Sequence, residues 1–362
     1  MKSSSCFATV TLCAVLTSLL VACGGSSSSA SANSSTSISG LALDAAGTTL
    51  LVANTGAEVV ETLNPTLASP VVTTLAGAQN QAGTAEGTTT QSAGRFNNPV
   101  SITGMGGDYY VTDTGNSGIR KLTAAGVISN VAGRLGSLGS TDGTGSGAYF
   151  YFPKGIANDG TYLYVTDTYN HTIRQVTTAG VVTTIAGYAG SPGTANGTGS
   201  TARFNTPYGV AVDPACGVAG ACDLYVSDDA NHAIRIVTTA GVVTTLAGTV
   251  GTSGSANGTG TAAKFYGPAG IVTDGTDVYV ADAGNHLIRK VVIATGAVTT
   301  VAGTAGTAGN TDATGTAAKF SFPTGLALDA ANGILYVSDQ NYTKVRKIVL
   351  STGAVTTLNA SF

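Results

Sequence analysis

The chain has 362 residues, of which 10% are charged, with 16 Lys and Arg against 19 Asp and Glu, 50 glycines and no tryptophan. A sparse, mildly acidic charge without a basic run argues against a nucleic-acid backbone as partner. Nothing after residue 37 is long and apolar enough to span a bilayer as a helix.

The N-terminus reads as an export signal. Lys2 supplies the positive start, and residues 7–21 form an apolar run too short for a comfortable membrane span. The run ends in Leu20-Val21-Ala22-Cys23, which resembles the lipobox of bacterial lipoproteins. Residues 1–22 are therefore expected to be a signal peptide and Cys23 the lipidated residue. Residues 23–37 are the cysteine and a Gly/Ser-rich tether that cannot form a core. The folded part, 38–362, is expected on the extracytoplasmic side, periplasmic or outer-surface, held to the membrane only by the N-terminal lipid. Of the other cysteines, Cys216 and Cys222 remain in an insertion peculiar to one repeat, and a local disulfide is expected there.

From residue 38 onward the chain repeats. Asp113, Asp167, Asp228, Asp282 and Asp339 each end a Tyr-Val-x-Asp run, and each is followed seven residues later by an arginine: Arg120, Arg174, Arg235, Arg289 and Arg346. A sixth, altered copy has Asn54 and Glu61 in those places, and the copies lie 59, 54, 61, 54 and 57 residues apart. Within residues 150–187, four short β-favouring segments alternate with turn signals such as Asn158-Asp159-Gly160 and Ala179-Gly180. Four antiparallel strands per repeat at this period predict propeller blades. The fold class is all-β, a six-bladed β-propeller of four-stranded antiparallel blades.

The recurring Pro-x-Gly-Ile/Leu-Ala, Tyr-Val-x-Asp and Asn-His-x-Ile-Arg segments resemble the NHL repeat, over residues 38–358. Both ends read as completing a blade, so no strand exchange at the closure is expected. Long Gly/Thr-rich loops between blades, for example residues 188–202, share an Asn/Asp-Gly-Thr-Gly core. They are expected on the same face as the Asp-x-x-Asn-His turns and to tolerate shortening.

Each chemical candidate has a structural alternative. The repeated aspartates are expected to cap the turn that follows them, with the arginines as inter-strand partners. His171, His232 and His286 occupy one turn in successive blades and are expected to stabilise it. The loop carboxylates are too isolated for calcium, and the stems of Arg95, Arg203, Lys264 and Lys319 are expected to cover apolar surface. The residue inside Pro-x-Gly should face the channel mouth; that ring reads Ser39, Val100, Lys154, Tyr208, Ala269 and Thr324. In peptide-amidating lyases built on NHL repeats, histidines at such places hold zinc. None stands there in this chain, so the resemblance implies no metal and no cofactor, although Tyr169 lies in the turn where those lyases carry a functional tyrosine.

The expected function is a lipid-anchored binding or scaffold module, with a protein, peptide or glycan of the cell envelope as partner. An enzyme reading, a lyase or lactone hydrolase at the channel mouth, is the alternative, and a passive envelope spacer is a third class.

Overall fold

In the computed structural model, residues 37–44, 46–87, 93–216 and 222–362 are described. The expected signal peptide, Cys23 and the tether up to residue 36 lie outside them.

The Tyr-Val-x-Asp and Ile-Arg segments form the two middle strands of each blade, because their β-branched and aromatic residues fill the space between blades on both faces. In the third blade the strands run Ile156–Asn158, Tyr162–Asp167, Thr172–Thr177 and Val181–Gly187, from the axis outward. Six such antiparallel sheets form the ring. The remaining regular structure among the described residues is short 3-10 turns such as Thr168–Asn170. Hydrophobic clusters sit between successive blades; one joins Val165 and Val176 of the third to Tyr110 and Ile119 of the second.

The expected four strands per blade hold in three blades. The third, fourth and fifth have a fifth, two-residue strand: Gly143–Thr144, Gly197–Thr198 and Gly258–Thr259. Each comes from the Asn/Asp-Gly-Thr-Gly loop, which turns outward and pairs with the blade's outermost strand. These loops are therefore part of the sheets. Shortening residues 188–202 would remove a strand, contrary to the expected tolerance.

The inner strands approach closely at the third position of Pro-x-Gly, which is glycine in every blade but the second, where Ser101 stands. A Cβ on Gly155 would lie 2.5 Å from the Tyr208 carbonyl oxygen, and one on Gly325 would lie 1.9 Å from that of Ser39. The second contact belongs to the seam between the last and first blades. There Ser338 Oγ donates to Ser39 O (2.6 Å) and Gln340 Nε2 to Ser37 Oγ (3.2 Å), with no strand exchanged.

Candidate functional site at the channel mouth

The repeated polar residues form a buried lattice in each blade. In the fifth, Asp282 Oδ2 accepts from Arg289 Nη1 and Asn285 Nδ2, both at 2.8 Å, and Oδ1 accepts from Tyr266 N–H at 2.8 Å. Arg289 Nη2 donates to Asn257 Oδ1 (2.8 Å), and its guanidinium lies 5.2 Å from the centre of the Phe265 ring. The aspartate thus does not cap the turn after it, as the sequence suggested; it anchors the segment entering the blade, because its carboxylate faces inward to the arginine. Burial pushes the carboxyls of Asp113, Asp167, Asp228, Asp282 and Asp339 up to about 6, against the pull of arginine and backbone N–H and, in all but Asp339, of asparagine. The loop residues Asp142, Asn196, Asn257 and Asp312 are the arginines' further partners. Their role was hidden in the sequence by the distance, 32 to 39 residues, between partners. In the first blade the pair is inverted, with Asn54 Nδ2 donating to Glu61 Oε2 at 2.9 Å.

The three histidines join blades. His171, His232 and His286 hold left-handed backbone (φ 59°, 57° and 61°) at the end of their turns. Each Nδ1 accepts a backbone N–H of the next blade: Thr206 (3.1 Å), Gly267 (3.2 Å) and Phe322 (3.1 Å). Nδ1 must be unprotonated to do this, and burial lowers the pKa of His171 and His286. Among the described residues, no three His, Cys, Asp or Glu side chains converge on a point where a metal could sit.

Of the Pro-x-Gly ring, Ser39, Val100, Ala269 and Thr324 are buried, and only Lys154 and Tyr208 are partly accessible. Threonines of the preceding blades hold both backbones: Thr112 Oγ1 donates to Lys154 O (2.7 Å) and Thr166 Oγ1 to Tyr208 O (2.6 Å). Lys154 Nζ then lies 4.4 Å from the centre of the Tyr208 ring. Burial lowers the Lys154 pKa while the Asp229 carboxylate opposes it, and burial raises that of Tyr208.

Asp229 is the member that sequence reasoning missed. It follows the lattice residue Asp228, at a position where other copies carry Thr55, Thr114, Thr168, Ala283 or Gln340. Those threonines donate to Pro99, Pro153 and Pro207 carbonyls at 2.6–2.8 Å, and a carboxylate cannot. Instead burial raises the Asp229 pKa, countered by Lys154 and His232. The departure from the repeat was the available signal.

Tyr169 stands on the same loop-bearing face, 46% exposed, with its ring centre 5.3 Å from Tyr151 and 5.6 Å from Phe152. Phe152 is two residues before Lys154 and is held at φ 47°. An aromatic platform therefore borders a half-buried Lys–Tyr–Asp set. The channel itself encloses about 300 Å³, lined by the innermost strands of all six blades and by no charged side chain. Lys154 and Ala269 are not among its lining residues. Away from this face, Cys216 and Cys222 are joined as a disulfide across a Cα–Cα distance of 4.8 Å.

No family model matches the chain. It is 29% identical over 304 residues to human NHL repeat-containing protein 2, covering 74% of this chain and 41% of that protein's length. An auxiliary nutrient binding protein from Bacteroides thetaiotaomicron superposes with a TM-score of 0.61 at 15% identity, over 89% of this chain and 69% of the other. A virginiamycin B lyase from Staphylococcus aureus gives a TM-score of 0.55 at 14% identity, over 91% and 86%. Those two likenesses show the fold alone. Taken with the repeated Pro-x-Gly, Tyr-Val-x-Asp and Asn-His-x-Ile-Arg segments, the ring of six sheets and the similarity to the human protein support a six-bladed β-propeller of NHL-type repeats.

Proposed function

We propose that this propeller is a binding module of the cell envelope, tethered through a lipid on Cys23, that holds a carboxylate-bearing sugar or peptide on its loop-bearing face. The observation that carries the reading is the juxtaposition of the Tyr151–Phe152–Tyr169 platform with Lys154, Tyr208 and Asp229. Aromatic faces take up the flat apolar side of a sugar or a peptide side chain, and a few polar groups orient it. Among the described residues Lys154 forms no ion pair, with Asp229 acting on it only at longer range, so its ammonium can take an anionic group. The name of the nutrient-binding neighbour supports binding as the use of this fold. Lys2, the apolar run to Val21 and the Cys216–Cys222 disulfide support an exported, oxidising location.

The lyase or lactone hydrolase reading would use Lys154 and Asp229 as acid and base; it rests on a likeness of fold to a lyase. Calorimetric titration of the folded chain with acidic oligosaccharides and peptides separates the two. A binder gives heat of saturation with the ligand recovered unchanged. Lys154→Ala and Tyr169→Ala should each weaken binding about tenfold, the loss of one charge-assisted bond or one stacking face. Wild-type affinity in both variants would move the site elsewhere.

A further inference from the structure

The outermost strand of the first blade lacks the backbone pairing that an incoming loop gives the others, although this chain's C-terminal segment lies beside it, with Asn359 Nδ2 donating to Ser69 Oγ (3.4 Å) and Leu358, Ala360 and Phe362 in one hydrophobic cluster with Val72. In the third, fourth and fifth blades the incoming loop adds its two-residue strand to the outermost strand. In the sixth Thr314 bridges Ala354, and in the second Gly87 N–H donates to Ile128 O at 3.0 Å. The matching groups of the first blade, Pro70 C=O and Val72 N–H, have no backbone partner among the described residues. By contrast, Gly180 C=O accepts Gly145 N–H and Val355 N–H donates to Ala313 O, both at 2.9 Å. Val71 is consequently 73% exposed, against 40% and 41% for its counterparts Val181 and Val242.

The charge at this edge is also inverted. In four covered blades the loop brings Asp142, Asn196, Asn257 or Asp312 against an arginine. The first blade has Glu61 in place of that arginine, nearly buried, and Asn54 supplies its one hydrogen bond among the described residues. With one donor, this carboxylate keeps acceptor capacity for a further partner.

We infer that the outer edge of the first blade, residues 70–74, docks an extended segment of another polypeptide, which adds as a fifth strand and sets a lysine or arginine against Glu61. An open strand edge is a template for strand addition, and the covered blades show which geometry the addition takes. The charge match favours a partner over this chain's own residues 24–37 and 358–362, which contain no Lys or Arg.

Hydrogen exchange on the full chain tests this, with two peptide probes. One probe has the sequence of residues 139–147, and the other has the same sequence with Asp142→Arg. In the free protein the amides of Val72 and Thr74 should exchange about tenfold faster than those of Val355 and Thr184, which are covered. At millimolar concentration the arginine probe should slow Val72, whose amide a strand backbone would cover, about threefold and the aspartate probe should not. Glu61→Gln should abolish that difference. Full protection of Val72 and Thr74 in the free protein would mean that the chain covers its own edge, and would overturn the proposal. Equal slowing by both probes, or none by either, would overturn it as well.

Discussion

His171 Nδ1 accepts the backbone N–H of Thr206 at 3.1 Å, and this bond crosses the seam between the third and fourth blades. Protonation at Nδ1 removes the acceptor and sets N–H against N–H. The lowered pKa of His171 and His286 means that the folded ring favours the neutral ring form. Their stabilisation is thus present above the unfolded value of 6.5 and is lost as pH falls through the lowered folded value.

The buried aspartates act with the opposite sign. A folded pKa of about 6 against 3.8 gives stability that grows as pH falls from 6 toward 3.8. The histidine contribution is therefore read as a difference. His171→Asn with His286→Asn keeps a side-chain acceptor and tolerates left-handed backbone. From about pH 7.5 to about 5, a window around the ordinary His value, the change in melting temperature should be more negative for wild type than for this double variant. Parallel profiles would remove the histidines from the acid response.

The inverted pair of the first blade can be copied into another. Asp228→Ala leaves Arg235 buried without its charge partner and should cost about 3–5 kcal/mol. Asp228→Asn combined with Arg235→Glu recreates Asn54–Glu61 beside the neutral Asn196. Urea titration should find this double variant more stable than Arg235→Glu alone, which sets two carboxylates together. An additive loss would show that the two positions do not couple.

Closure of the ring depends on Gly325. Gly325→Ala places a carbon 1.9 Å from the Ser39 carbonyl oxygen and should cost about 1–3 kcal/mol as the last and first blades part. Gly147→Ala, where a Cβ meets nothing within 4 Å, is the control and should stay within about 0.5 kcal/mol of wild type. Equal melting temperatures for the two would place the seam's stability elsewhere.

Lipid attachment is tested on the expressed protein. Cys23→Ser should abolish lipid labelling and move the chain from the detergent phase to the aqueous phase, since one thiol carries the anchor. Retention in the detergent phase would show that something other than a lipid on Cys23 holds it.

The sequence by itself determined the blade count, the strand order within a blade and the middle-strand register. These follow from local alternation and from the Asp and Arg seven residues apart, which pair through adjacent strands as Val165 opposite Arg174 shows. It also singled out Lys154 and Tyr208 as the larger polar members of a ring of small residues. The tertiary structure decided what spans blades or long loops. Asn196 meets Arg235 across 39 residues, and Asp229 acts on Lys154 from the next blade. Neither relation has a local period, because the ring brings together residues whose separation along the chain is set by loop length rather than by strand geometry. For the same reason the open edge of the first blade was illegible: it shows only when six equivalent edges are laid side by side and one is found without a backbone partner among the described residues.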